Sequence, residues 1–283
     1  MEKTNVRRLI GVMMPFMIMV IIQRLGLLLT GMTALPAVIG DTLAFLAASA
    51  AGIFFFRMSC GADALRPGMN PQETSGEGAE DDRHVPPFPE RETLFGRLMY
   101  LLFGTGILVV TMYITAAAAD ADVVSAVSVS AAEFVPLVLI HPILEEYVFR
   151  WLYYRELRPM QPMFAGLAQA VMFAIVHSSV GGMIYALFAG VVLVVMTELS
   201  GSLTAAVGAH MLINLRSFVY LVWLTDEAFA DAGRLRLILD TGIVSVGFAA
   251  LLLLMVRRGL REVRAGTAET DDGEEFEDGH DDD

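Results

Sequence analysis

Apolar residues run along this chain in long blocks separated by short polar breaks. A helix needs about 20 mostly apolar residues to cross a bilayer. Eight stretches meet or approach that length: Leu9–Leu29, Asp41–Phe56, Leu98–Ala118, Glu133–Tyr153, Met163–His177, Gly182–Leu199, Leu203–Leu224 and Leu237–Val256. The second, fifth and sixth are short. Strict alternation of apolar and polar residues is absent, so the pattern predicts helices rather than the strands of a barrel. The expected fold is all-α, a polytopic membrane helix bundle of about eight transmembrane helices. The first stretch reads as a retained helix rather than a signal peptide, because no small-residue cleavage site follows it. Gln23 and Arg24 lie near its far end, where the arginine can snorkel.

Composition supports this reading. Of 283 residues, 55% are hydrophobic, too many for a soluble globular chain. The net charge of -13 is uneven, since ten acidic residues and no Lys or Arg fall between Ala265 and Asp283. No basic stripe suits nucleic acid, so nucleic-acid binding is excluded. Cys60 is the only cysteine, which leaves no intrachain disulfide. Lys and Arg gather on alternate breaks. Lys3, Arg7, Arg8, Arg57, Arg66, Arg83, Arg91, Arg97, Arg150, Arg155, Arg158, Arg257, Arg258, Arg261 and Arg264 share one side, against Arg234 and Arg236 on the other. The positive-inside rule then predicts both termini in the cytoplasm of a multi-pass cell-membrane protein. Residues 58–94, rich in Pro, Gly and acid, read as a flexible cytoplasmic linker. The chain divides into two N-terminal helices (1–57), this linker, a six-helix membrane domain (95–258) and a disordered acidic tail (259–283).

Ionisable groups inside a membrane are costly and usually face a cavity. The fourth stretch carries His141, Glu145, Glu146 and Arg150. Glu146 and Arg150, four apart, share a face and can pair. Glu145 points about 100° away, free for other work. His141, also four from Glu145, can hydrogen-bond it. Trp151, Tyr153 and Tyr154 suit an inner aromatic belt, which sets Glu145 about two turns inside the cytoplasmic boundary. In the fifth stretch Phe173 and His177 share a face; in the seventh His210 and Asn214 do. Glu198 lies near an inner helix end and reads as interfacial. Each polar group alone could be a satisfied packing residue or interhelical glue. Together a carboxylate, two imidazoles and an amide from three helices call for one shared cavity, and they form a hydrolytic set.

Three motifs carry a resemblance: Glu-Glu-x-x-x-Arg in "EEYVFR", Phe-x-x-x-His in "FAIVH" and His-x-x-x-Asn in "HMLIN". Their order on successive helices resembles the CAAX prenyl protease and bacteriocin-processing family of intramembrane endopeptidases, also called the ABI family, over about residues 95–225. The resemblance implies that Glu145 is the catalytic glutamate and His177 its water-activating partner. It implies that His210 and Asn214 stabilise the oxyanion, with Glu146, Arg150 and Phe173 in support. It further implies cleavage near the cytoplasmic leaflet of a peptide substrate, which in the eukaryotic branch is the C-terminus beyond a lipidated cysteine.

Two mechanisms stay open. A glutamate-activated water needs no cofactor. Alternatively, Glu145, His177 and His210 supply a His₂Glu set for zinc, as the frequent label of metalloprotease suggests, although the HExxH spacing is missing. Two other functions compete with the peptidase: a catalytically silent regulator or immunity protein, and a small-solute transporter, because an embedded Glu–His pair can relay protons.

Overall fold

The computed structural model describes residues 3–33, 37–60, 92–118, 130–177, 179–225 and 227–274. Eight helices are present among them: α1 Lys3–Gly31, α2 Ala37–Cys60, α3 Leu94–Ala118, a composite α4 over 131–157, α5 Pro162–Ile175, α6 Val180–Ser200, α7 Leu203–Val222 and α8 Ala232–Glu274. Among the described residues there is no strand. α1, α2, α3, α6, α7 and α8 are long and apolar enough to cross a membrane. The molecule is a multi-pass membrane protein, a bundle of helices whose outward faces carry large apolar side chains such as Ile10, Leu28, Phe188, Phe248 and Met255.

The helices alternate in direction, and contacts at both ends of the bundle fix this. At one end Arg8 pairs with Glu156, Arg158 with Glu198, and Arg261 with Glu92 at 3.2 Å. At the other end Gln23 reaches Val176, and Tyr113 reaches Asp240. The first end is the arginine-rich face. Close helix approach relies on small residues, as expected where lipid supplies no hydrophobic drive. A Cβ on Gly106 would stand 3.2 Å from the Cα of Gly247, so α3 and α8 touch backbone to backbone. Gly190 of α6 sits likewise against Ala170 of α5. α6 ends at Gly201, whose φ of 59° is the left-handed conformation that terminates a helix and suits glycine. Ser202 then caps α7 by accepting from the Thr204 N–H.

α4 is irregular. A 3₁₀ turn (Ala131–Glu133) leads into π-helix over Val135–Ile140, α-helix over His141–Glu146, π-helix over Tyr147–Tyr154 and a last α-turn, Arg155–Leu157. Prolines account for part of this. In the first π stretch the His141 N–H bonds to Pro136 O, five residues back. The next donor in that register would be residue 142, a proline with no N–H. Leu137 O is therefore left for another partner.

Some expectations change. Tyr153 and Tyr154 do not form an interfacial belt. Both are buried, with Phe16 and Phe56 packed around Tyr153. Aromatic residues at the end of an apolar run have the same sequence signature whether they meet headgroups or core. Glu145 consequently lies near the middle of α4, not two turns from a boundary. Within the segment expected to be a disordered tail, α8 continues to Glu274, and residues 275–283 lie outside the described residues. Residues 61–91, most of the expected linker, are also outside them, and α2 extends through Cys60.

Candidate active site

The four motif residues of the seventh, fifth and fourth stretches meet around one cavity. Glu145, His177, His210 and Asn214 all line a hollow of about 350 Å³, together with Gln23, Asp41, His141, Tyr185 and apolar side chains. The adjacent acids divide as their spacing predicts. Glu146 turns inward and is fully buried, with Oε1 3.1 Å from Nη1 of Arg150. Glu145 faces the cavity.

His210 joins the two acids. Its Nδ1 is 2.8 Å from Glu146 Oε1, and its Nε2 is 3.6 Å from Glu145 Oε2. A carboxylate accepts, so Nδ1 is the donor and the Glu146 contact assigns the tautomer. Nε2 is left facing the cavity. This is the arrangement by which a buried carboxylate orients an imidazole. Phe173 is the platform beneath it. The Arg150 guanidinium lies over its ring at 4.4 Å, and its edges meet the rings of His177 at 5.0 Å and His210 at 5.9 Å. One aromatic side chain thus fixes three polar ones by shape and quadrupole.

His177 follows directly after the end of α5. Its Nδ1 donates to Phe173 O at 2.9 Å, which leaves Nε2 for the cavity. The end of α5 exposes carbonyls that need donors, and α1 supplies them. Gln23 Nε2 donates to Val176 O at 3.3 Å, and Arg24 Nη2 donates to Ile175 O and His177 O at 2.8 and 3.1 Å. Arg24 therefore caps a neighbouring helix, a cation at its negative end, while remaining exposed. Asn214 Nδ2 donates to Leu137 O at 2.9 Å, the carbonyl orphaned by Pro142. Its second N–H remains available.

Three cavity residues escaped the sequence reading: Asp41, Gln23 as a lining group, and Tyr185. The Tyr185 hydroxyl is buried without a hydrogen-bond partner, as is Nε2 of His141. His141 stacks on Phe45 at 4.2 Å instead of bonding to Glu145. A phenol in an apolar helix carries no linear signal that distinguishes cavity from core. Glu198 pairs with Arg158 at 2.8 Å.

The zinc set does not assemble. Among the described residues no three His, Cys, Asp or Glu side chains stand together as a metal-binding group. His210 and His177 each hold Nδ1 to a neighbour and keep Nε2 toward the cavity, as ligating histidines would, but with Glu145 they do not stand together as one group. The residues present do not fit a His₂Glu cage.

The cavity occupies the helix halves remote from the arginine-rich face. Its lining comes from the late part of α1, the start of α2, Leu108 of α3, the first half of α4, the end of α5, α6 from Tyr185 to Leu193, and α7 from His210 to Asn214. Toward the arginine-rich face it is closed by Val148, Phe149, Leu152, Tyr153 and Leu157, each at most 1% exposed.

No curated protein and no solved structure matches the chain. Residues 127–216 match the family model described as Type II CAAX prenyl endopeptidase Rce1-like. That stretch contains every motif of the site, from Glu145 to Asn214, and over it the chain is similar to the CAAX prenyl protease family.

Proposed function

We propose that this protein is an intramembrane endopeptidase that hydrolyses a peptide bond with water activated by Glu145. The observation that carries the reading is the convergence of Glu145, His177, His210 and Asn214 on one cavity inside the bundle. The Rce1-like match supports it at the level of the family.

The chemistry uses only groups of this chain. Water sits between Glu145 and Nε2 of His177. Glu145 takes a proton as the oxygen attacks the scissile carbonyl. The oxyanion that forms receives the free N–H of Asn214. His210, oriented by Glu146 through Nδ1, turns Nε2 to the same space. One such donor supplies about 3–4 kcal/mol in the transition state. Collapse expels the amine, which takes its proton from Glu145. Glu146, Arg150 and Phe173 hold the donors in place and touch no reacting atom.

The test is hydrolysis of a quenched fluorescent peptide panel, lipidated and unlipidated, by purified protein. Wild type cleaves at least one member, whereas Glu145→Gln and His210→Ala, folded by circular dichroism, do not. If wild type is as inactive as both variants across the panel, the reading fails in favour of a silent regulator.

A further inference from the structure

A second cavity, of about 340 Å³, shares no lining residue with the first. Its walls carry three arginines of α8, Arg257, Arg258 and Arg261. With Leu254 they follow the spacing that puts side chains on one helix face. The other walls come from the start of α3 and the end of α6. α3 begins at Leu94 and α6 ends at Ser200, and both are long and apolar enough to span. The cavity therefore lies where spans start and stop, at the depth of lipid headgroups.

The carboxylates nearby do not use up these cations. Glu92 serves two of them, with Oε2 3.2 Å from Arg261 Nη2 and 3.7 Å from Arg257 Nη1. Glu198 is held by Arg158 at 2.8 Å. Arg258 faces Glu262 at 3.8 Å, where both side chains are highly exposed and pair weakly. Arg257 is the fixed member of the set. Its Nη2 donates to Thr93 Oγ1 at 2.8 Å, and a Cβ on Gly96 would stand 3.1 Å from its Nη1. That Nη1 is buried with no hydrogen-bond partner among the described residues. The Glu92 N–H donates to Ser200 O at 3.1 Å and ties the start of α3 to the end of α6, so the wall itself is held.

Guanidinium forks match the oxygens of a phosphate and bond them in pairs. Arg258 and Arg261 are exposed enough to turn onto such a group, and Arg257 Nη1 is already in place. The rim is apolar. Leu199 lines the cavity and is exposed, and the exposed Phe95 ring lies 5.7 Å from the Arg257 guanidinium. We infer that this cavity binds the phosphate headgroup of an anionic lipid, with the three arginines on the phosphate and the apolar rim beside the acyl chains. A soluble phosphate ester shares the headgroup chemistry and lacks the chains.

Native mass spectrometry of the full chain in detergent separates these sources. The protein is titrated with dioctanoyl phosphatidylglycerol, dioctanoyl phosphatidylcholine or glycerol phosphate, and bound molecules are counted by mass. Phosphatidylglycerol is expected to bind with an apparent Kd at least about tenfold below that of either other compound. Arg258→Gln, which gives up only a loose surface pair, should weaken that binding about fivefold. Adding Arg261→Gln should bring the loss to at least about tenfold. Arg7→Gln, at an exposed arginine outside the cavity, should leave it unchanged.

Phosphatidylcholine binding as tightly as phosphatidylglycerol overturns the site, as does a loss in Arg7→Gln equal to that in Arg258→Gln. Glycerol phosphate matching the lipid would keep the phosphate site and assign it to a soluble ligand. Hydrolysis enters none of these readings, so the lipid site and the peptidase reading fail or hold separately.

Discussion

Single side chains in this site differ sharply in what their loss should cost. Glu145 lines the cavity and supports no packing, so Glu145→Gln is expected to leave thermal unfolding unchanged while hydrolysis falls at least about a hundredfold. Arg150 is the opposite case. It is fully buried against Glu146, and Arg150→Ala strands that carboxylate in a dry interior. A cost of about 3–5 kcal/mol follows, to be read as a large drop in melting temperature in detergent. Both losses would abolish activity, and only the melting curve separates them. Tyr185→Phe removes a buried hydroxyl with no partner, so its stability should hold or rise slightly. If that hydroxyl bonds a substrate, KM rises in the same variant.

At the scale of helices, the irregularity of α4 has a chemical use. Because Pro142 cannot donate, Leu137 O is open to Asn214, and α7 is tied to α4 through a residue of the site. Pro142→Ala restores the missing donor and invites the backbone to close on itself. The expected outcome is unchanged or higher thermal stability with reduced kcat, measured on the same peptide. A second tie lies farther out. Asp240 of α8 accepts from Arg216 of α7, from Tyr113 of α3 at 2.7 Å and from Tyr220 at 2.9 Å. Asp240→Ala leaves Arg216 unpaired where it is mostly buried, and should lower the melting temperature markedly. How much of this was readable beforehand follows from range. Helices were legible because apolar run length is local. Glu146–Arg150 was legible because four residues make one turn. The Gln23 and Arg24 caps on α5 join residues about 150 positions apart, and Asp240 with Arg216 joins two helices. No pattern along one helix specifies either. The belt assigned to Tyr153 and Tyr154 failed for a related reason: hydropathy records how apolar a residue is and not which neighbour covers it.

For the whole molecule, the arrangement of charge shapes the reaction environment. Among the described residues no three His, Cys, Asp or Glu side chains stand together as a metal-binding group. Hydrolysis is therefore expected to survive prolonged dialysis against a strong zinc chelator, with initial rates unchanged. Loss of activity restored by added zinc would overturn the water-activation scheme. The large buried cluster around Phe149, Leu152, Tyr153 and Leu157 also takes in Phe173, the platform of the site, and Leu108, Ala189, Leu193 and Ile213 of the cavity wall belong to a second cluster.

α5 runs only from Pro162 to Ile175. Fourteen residues rise about 21 Å, well short of a hydrocarbon layer about 30 Å thick. A bilayer that meets both ends of so short a helix has to thin beside it, so bilayer thickness is expected to control turnover of the proposed peptidase, measured as peptide hydrolysis in vesicles of graded chain length. In vesicles of short-chain lipids the thinning costs little; in long-chain lipids each added methylene deepens the mismatch.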